Sequence, residues 1–172
     1  MLIGAGVYES EACPDVGSAE NEYLKTRTAS CCCGDLCITV SGEPERVIAC
    51  HCDYCQKRTG NVFQVSCWYF GEQVVSRSGD FQIFNDGPNN AGIDYTFCKR
   101  CGSTVYWEFV TLREAMNVSL YGIAVGCFVD ADFPAPDLEC WASMRHHWIA
   151  APEGADSYDE FPPRERLMPT RP

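Results

Sequence analysis

Short runs of apolar residues, many of them β-branched or aromatic, indicate β-strands along most of the chain. Such runs of Val, Ile, Phe, Tyr and Trp between turn residues are typical of strands rather than of helices. Glycine, proline and asparagine separate them, as in the loop at residues 85–92. The pattern therefore predicts one mainly β domain. The predicted strands lie at residues 36–40, 46–49, 62–70, 81–84, 93–97, 104–107, 116–125 and 138–142.

One short segment and the two ends of the chain depart from this pattern. Asp53–Thr59 can form one or two helical turns, with Gly60 as the C-cap. Residues 1–26 show no sustained period and are predicted to be an N-terminal extension. Residues 151–172 are acidic and rich in proline and are predicted to be a C-terminal tail. The folded domain is therefore assigned to residues 27–150.

Length and charge narrow the classes of function. A chain of 172 residues is long enough for one domain with a core and short for two. Its net charge of −11 argues against the basic surface of a nucleic-acid-binding protein. The sequence contains no run of about eighteen apolar residues, and residues 1–7 lack the features of a signal peptide. We expect neither a nucleic acid nor a membrane as a partner.

Cysteine is unusually frequent, and its spacing suggests metal binding. Cysteines two or three residues apart rarely form disulfides with each other, but they can chelate one metal ion. The odd total of 13 cysteines also favours reduced thiols, in a cytoplasmic environment. Seven of them form three groups: a first pair (Cys31 and Cys33), a trio (Cys50, Cys52 and Cys55) and a last pair (Cys98 and Cys101).

The seven thiols can be divided between metal sites in three ways. Cys52 and Cys55 can join the last pair as a zinc ribbon, which leaves three thiols unexplained. Alternatively, the two pairs form a closed four-thiolate site and the trio forms a separate three-ligand site. In the third division the trio recruits a histidine, although His51 lies between two ligands and is poorly placed to bind the same ion. The second division is favoured because it uses all seven thiols and leaves only one site open.

Several other polar residues are candidates for a role near these thiols. His51 can orient a neighbouring ligand or act as an acid–base group, or it can simply be bonded to the backbone. His146 and His147 lie near tryptophans and can line a pocket. Lys57 and Arg58 can meet a substrate carboxylate, or they can be ordinary surface charges. Cys32 is left out of the site, since strand alternation would point it away from its two neighbours.

Three motifs in the chain match the pattern of a known family: Ser30-Cys31-Cys32-Cys33-Gly34, Cys50-His51-Cys52-X-X-Cys55 and Phe97-Cys98-X-X-Cys101-Gly102. Flanking residues 56–60 (Gln-Lys-Arg-Thr-Gly) and 103–106 (Ser-Thr-Val-Tyr) agree with it. With these motifs the chain resembles the glutathione-dependent formaldehyde-activating enzyme family, which also includes centromere protein V. The resemblance covers roughly residues 27–150, while the extra Cys32 and the two terminal segments depart from the family pattern.

The resemblance implies a fold, two metal ions and a reaction. The fold would consist of coiled, mostly antiparallel β-sheets around zinc, with zinc-ribbon-like knuckles and few short helices. The activity would be that of a carbon–sulfur lyase, with S-hydroxymethylglutathione in equilibrium with glutathione and formaldehyde. The partners would then be a small thiol such as glutathione and a small aldehyde. The implied ligands are Cys31, Cys33, Cys98 and Cys101 for a structural zinc and Cys50, Cys52 and Cys55 for a catalytic zinc.

The residues themselves permit this chemistry but also permit a rival. Zinc with three thiolate ligands has an open position, where a substrate thiol can bind and ionise at neutral pH. The rival is a non-enzymatic zinc-binding module for protein interaction, in which a borrowed ligand closes the trio. A metal or redox sensor is a weaker third alternative. The acidic charge weighs against a chromatin or microtubule role, which would require a basic arm.

Overall fold

Eleven strands and three short α-helices make up most of the computed structural model, which describes residues 25–87 and 92–168. This confirms the predicted mainly β fold. The helices are α1 (Asp53–Thr59), α2 (Val110–Met116) and α3 (Arg164–Leu167). Among these described helices, none has the length and apolarity needed to cross a membrane. The strands are β1 (Thr26–Ser30), β2 (Cys37–Ser41), β3 (Arg46–Cys50), β4 (Gln64–Phe70), β5 (Val74–Ser78), β6 (Phe81–Asn85), β7 (Ile93–Cys98), β8 (Thr104–Phe109), β9 (Leu120–Ala124), β10 (Leu138–Cys140) and β11 (Asp156–Tyr158).

The strands form a small sheet and a large sheet. The small sheet has the order β1-β2-β5 and is antiparallel throughout. The large sheet has the order β11-β10-β3-β4-β9-β8-β7-β6 and is antiparallel from β3 to β6. At its other end β10 runs parallel to both β3 and β11. The expectation of mostly antiparallel sheets is therefore met, with a parallel end next to the strand that carries Cys50.

Strand β4 lies inside the large sheet and packs against a core on each face. Successive side chains of a strand point to opposite faces, so Cys67 and Tyr69 join one core and Trp68 and Phe70 join the other. The first core lies between the two sheets and includes the buried Cys31 and Cys98, together with residues of β1, β2, β8 and β9. The second core has half-buried Cys50 at its border. The pairs and the trio are therefore associated with opposite faces of the large sheet.

Two elements in the middle of the chain were not predicted from the pattern of apolar residues. The exposed edge strand β5 lacks a clear alternation of apolar and polar residues. The predicted strand at 116–125 is wrong in its first part, because Met116 ends helix α2 and β9 begins only at Leu120. Leu, Arg, Glu, Ala and Met within α2 are good helix formers, and Asn117 ends the helix in the left-handed conformation with φ 53°.

The predicted terminal segments differ in how far the structure describes them. Most of the predicted N-terminal extension lies outside the described residues, and Thr26 is the first residue of β1. Within the predicted tail, Asp156–Tyr158 forms β11 on the large sheet and Leu167 is buried in the second core. A three-residue strand and one buried leucine give too weak a periodic signal to be recognised in an acidic, proline-rich segment.

A row of large aromatic residues crosses the large sheet and depends on one glycine. Four residues on neighbouring strands are paired in sequence across the sheet: Tyr95 on β7, Trp107 on β8, Gly122 on β9 and Trp68 on β4. A Cβ atom on Gly122 would lie 2.1 Å from the indole Nε1 of Trp107. The missing side chain therefore provides the space into which the indole of Trp107 extends.

We predict that Gly122→Ala destabilises the protein. The added methyl group must displace Trp107, and overpacking of this kind typically costs about 1–3 kcal/mol. In a chain of this size, each kcal/mol lowers Tm by about 2–4 °C. Gly126→Ala is the matched control, since a Cβ at Gly126 meets no atom of the described residues within 4 Å. Equal Tm values for the two variants in zinc-supplemented buffer would contradict the prediction.

Candidate metal centres

The two cysteine pairs lie on turns that the fold brings together. The first pair follows β1, and the turn closes through a hydrogen bond from Gly34 N to Cys31 O of 2.9 Å. The last pair joins β7 to β8 in a similar turn, in which Gly102 N donates to Cys98 O at 2.8 Å. Both glycines have positive φ angles, 77° and 74°, which residues with side chains rarely adopt. The turns place the Sγ atoms of Cys31, Cys33, Cys98 and Cys101 within 4.8 Å of one another.

The spacing of these four sulfurs fits a tetrahedral metal ion. The Sγ atoms of Cys31 and Cys33 are 3.5 Å apart, and those of Cys33 and Cys98 are 3.7 Å apart. A disulfide would require about 2.0 Å. Zinc–sulfur bonds of about 2.3 Å in tetrahedral geometry place the sulfurs about 3.8 Å apart. The four thiols therefore form a group, here called the four-thiol group, whose donors and spacing suit zinc.

The trio forms a second group at the junction of β3 and α1. Cys50 ends β3, and Cys52 is the N-cap of α1, where its sulfur accepts a hydrogen bond of 3.4 Å from the backbone N–H of Cys55. This cap brings Cys52 and Cys55 together at the first turn of the helix. The three Sγ atoms lie within 4.8 Å of one another, and those of Cys50 and Cys52 are 3.5 Å apart. All three side chains are half-buried.

The three thiols of the trio do not ionise equally. Hydrogen bonds with Cys50 and Cys55 lower the pKa of Cys52 to about 2, although burial opposes this shift. Hydrogen bonds with Cys140 and Cys52 raise the pKa of Cys50, and those with Cys50 and Cys52 raise the pKa of Cys55. One thiolate thus opposes ionisation of its neighbours. A bound metal ion removes this opposition, because a coordinating thiol is deprotonated.

The structure groups the thiols as in the favoured division, in which the two pairs come together and the trio is separate. The zinc-ribbon alternative would instead have required Cys52 and Cys55 to meet the last pair. Cys32 is exposed and lies outside the four-thiol group.

His51 is fully buried and faces a carboxylate that the sequence analysis did not identify. Its Nε2 lies 3.0 Å from Oε1 of Glu139, and the two side chains are 1% and 0% exposed. The other carboxylate oxygen accepts a hydrogen bond of 2.6 Å from the hydroxyl of Ser157, and Nε of Arg145 lies 3.6 Å from Oε1. This arrangement anchors the residue between Cys50 and Cys52 to strands β10 and β11. The one signal in the sequence was an acidic residue within the apolar run Leu138–Ala142.

The protonation of His51 follows from its surroundings. Burial lowers the pKa of His51, although the Glu139 carboxylate raises it, so the ring is neutral at pH 7. A carboxylate accepts hydrogen bonds and does not donate them, so Nε2 carries the proton and its N–H donates a hydrogen bond to Glu139. Nδ1 is then an acceptor, and it is buried without a hydrogen-bond partner among the described residues. The ring of Phe63 stacks against the imidazole at 5.3 Å between centroids.

The remaining candidate residues differ in how they relate to the trio. His146 is linked to the trio segment through Gln56. The Nε2 of His146 lies 3.3 Å from Oε1 of Gln56, and the Nε2 of Gln56 donates a hydrogen bond of 2.7 Å to the backbone carbonyl of His51. His147 is exposed. Lys57 is an exposed surface charge paired with Asp53 at 2.7 Å.

Arg58 has a different environment from that of Lys57. Its guanidinium carbon lies 4.3 Å from the ring centre of Tyr95 and 5.1 Å from that of Trp107. Its Nη2 donates a hydrogen bond to Oε1 of Gln64. Arg58 is therefore a half-buried cation held against the aromatic row of the large sheet, and the surface-charge interpretation does not describe it.

Comparison with known proteins identifies a matching family. A family model described as glutathione-dependent formaldehyde-activating enzyme matches residues 26–144, which is more than half of the chain and includes both sulfur groups. No curated protein matches the chain. The match agrees with the resemblance that the cysteine motifs had suggested.

We predict that Glu139→Gln lowers stability, because the buried partner of His51 loses its charge and one of its acceptor atoms. Leaving a buried polar group poorly paired costs about 1–3 kcal/mol. Glu153→Gln is the control, since Glu153 is exposed and its change should stay within about 0.5 kcal/mol. Thermal melting of both variants in zinc-supplemented buffer makes the comparison. A Tm for Glu139→Gln equal to that of the wild-type protein would show that the buried pair does not stabilise the fold.

Proposed function

The chain belongs to the glutathione-dependent formaldehyde-activating enzyme family, and we propose that it is a zinc-dependent carbon–sulfur lyase. Its substrate would be an adduct of a thiol and an aldehyde, such as S-hydroxymethylglutathione in equilibrium with glutathione and formaldehyde. The observation that carries the proposal is the trio, a group of three half-buried sulfurs separate from the four-thiol group.

The number of sulfurs in each group supports a division of roles. Zinc in structural sites is almost always bound by four protein ligands, whereas catalytic zinc keeps one position for water or substrate. The four-thiol group would hold a structural ion, with two of its sulfurs, Cys31 and Cys98, buried in the first core. The trio would hold a catalytic ion. We therefore propose two zinc ions for each chain.

The reaction requires simple movements of protons and electrons. In the lyase direction the adduct loses its hydroxyl proton, the carbon–sulfur bond breaks, and the electron pair leaves with sulfur as a thiolate. The aldehyde and the thiol are then the products, once the thiolate has regained a proton. Zinc in the trio would supply a place where the thiol sulfur is held as thiolate at neutral pH.

The residues of the chain position this chemistry. The thiolate ligands of the zinc ion would be Cys50, Cys52 and Cys55, and the N-cap of α1 holds Cys52 and Cys55 together. The hydrogen bond to Glu139 holds the His51 ring in one orientation. In the sequence His51 lies between the ligands Cys50 and Cys52. We assign both residues a positioning role, since outer-shell hydrogen bonds of this kind orient metal ligands.

The proposal also places the protein in the cytoplasm. All seven thiols of the two sulfur groups are free in the structure. Free thiols and zinc–thiolate sites persist where glutathione and thioredoxin keep cysteines reduced. A cytoplasmic location would also supply glutathione as the thiol.

We predict that purified wild-type protein contains about two zinc ions per chain and that Cys52→Ser retains about one, because that substitution removes a ligand of the trio alone. Metal analysis by mass spectrometry after desalting provides the measurement. Cys32→Ser is the control and should keep both ions, since Cys32 is an exposed thiol outside the four-thiol group. A single tightly held zinc that is unchanged by Cys52→Ser would refute the assignment of the trio.

We predict that the protein accelerates exchange between free formaldehyde and its glutathione adduct, measured by exchange NMR with 13C-labelled formaldehyde. Cys52→Ser should reduce the acceleration by more than the roughly 10–100-fold typical of losing an outer-shell partner. Cys32→Ser should retain it. If the wild-type protein does not accelerate exchange with glutathione or with any other cellular thiol, the rival interpretation as a zinc-binding interaction module gains support.

A further inference from the structure

A small cavity opens between helix α1, strand β4 and the turn that follows Cys101. Its volume is about 260 Å³, and its lining includes Arg58 and Thr59 of α1, Gln64 of β4 and residues 102–104. The helix α1 also carries Cys55, and residue 102 directly follows Cys101 of the four-thiol group. Complete ligand pockets usually measure about 300–1,000 Å³. This cavity is therefore sized for one end of a ligand rather than for a whole tripeptide.

Two hydrogen-bond donors at this cavity have no acceptor among the described residues. Gln64 is only 7% exposed, and its Oε1 accepts a hydrogen bond from Arg58, but its Nε2 is buried without a partner. The Nε of Arg58 is likewise buried without one. Buried donors that remain unpaired are costly, and proteins usually satisfy them. Both atoms have almost no accessible surface, so an acceptor on a ligand pairs them only when the two side chains turn towards the cavity that they line.

The charge and chemistry of the lining select an anionic acceptor. The lining combines a guanidinium, a carboxamide and the hydroxyl groups of Thr59, Ser103 and Thr104, and it contains no carboxylate. A guanidinium presents several N–H donors in a planar arrangement that matches a carboxylate. Tyr95 and Trp107 hold the guanidinium in place, so little conformational freedom is lost when a ligand binds.

Two elements connect the lining of the cavity to the trio: strand β4, which carries Gln64, and helix α1, which carries Arg58. Gln64 lies directly opposite Cys50 in the β3–β4 pairing, and side chains of directly opposite residues are about 5 Å apart. Arg58 follows Cys55 by three residues on α1, so both lie on neighbouring turns of the same helix face. A molecule whose sulfur reaches the trio can therefore extend a polar group into the cavity.

We propose that this cavity is a subsite for a carboxylate of the thiol substrate, with Arg58 and Gln64 as its binding residues. The inference rests on the proposed function, and it narrows the substrate to thiols that carry a carboxylate at some distance from the sulfur. Glutathione, with two carboxylates, belongs to this class. A neutral thiol such as 2-mercaptoethanol would reach the trio without this contact.

The first test compares two thiols in the formaldehyde exchange assay. Arg58→Gln removes the positive charge, and Gln64→Glu places a negative charge in the cavity with little change in shape. Each variant should lower kcat/KM for glutathione at least about tenfold more than for 2-mercaptoethanol, which corresponds to the loss of a charged contact. Lys57→Gln is the matched control, because Lys57 precedes Arg58 on α1 but is paired with Asp53 in solvent. Equal losses for both thiols in both variants would overturn the proposal.

The second test measures binding without turnover. S-methylglutathione has both carboxylates but no free thiol, so it probes the cavity without a thiolate at the trio. Titration of zinc-loaded, 15N-labelled protein should shift the side-chain amide resonances of Gln64 in a saturable manner. The diethyl ester of S-methylglutathione, which lacks the carboxylates, should shift them much less. Absence of a saturable shift, or equal shifts with both compounds, would show that the cavity does not bind a carboxylate.

The two tests separate this inference from the proposed function. If the wild-type protein fails to accelerate exchange with any thiol, the lyase proposal falls, and the NMR titration alone decides whether the cavity binds a carboxylate. If exchange is accelerated with glutathione and with 2-mercaptoethanol, and neither variant changes the ratio, the lyase proposal stands and the subsite is refuted.

Discussion

Close contact between cysteine sulfurs is the constraint on which the rest of this structure depends. Two turns and a strand–helix junction hold seven Sγ atoms in two groups, within 4.8 Å of one another in each group. Thiolates this close repel each other unless a cation lies between them. Because Cys31 and Cys98 also belong to the first core, the metal chemistry of the four-thiol group and the packing of the two sheets are coupled.

Local features of the sequence predicted the sulfur groups well, whereas long-range features predicted only part of the fold. The trio is local: three thiols and a helix cap lie within six residues, so the spacing was sufficient. The association of the two pairs joins residues 65 positions apart, and it could be inferred only by counting thiols. The partner of His51 is 88 residues away. It depends on the parallel pairing of the three-residue strand β10, which leaves almost no periodic signal.

The pairing of β10 explains why residues near the end of the described chain matter for the trio. Asp137, just before β10, accepts hydrogen bonds from Arg46 and from the backbone of Val47 at the start of β3. Glu139 then reaches His51 at the far end of the same strand pair, and Ser157 of β11 holds the carboxylate from the other side. The segment that composition suggests is a tail therefore supplies a strand that supports the candidate site.

The aromatic row links core packing to the electrostatics of the site. Gly122 has no side chain, so Trp107 can extend over β9, and Tyr95 and Trp107 together form the surface on which the Arg58 guanidinium rests. A cation held in this way keeps its charge beside the trio at a fixed position and retains donors for a ligand. The whole arrangement requires a glycine on β9, two aromatic residues on β7 and β8, and an arginine on α1. Each of these residues is unremarkable in sequence, and only the register of the sheet brings them together.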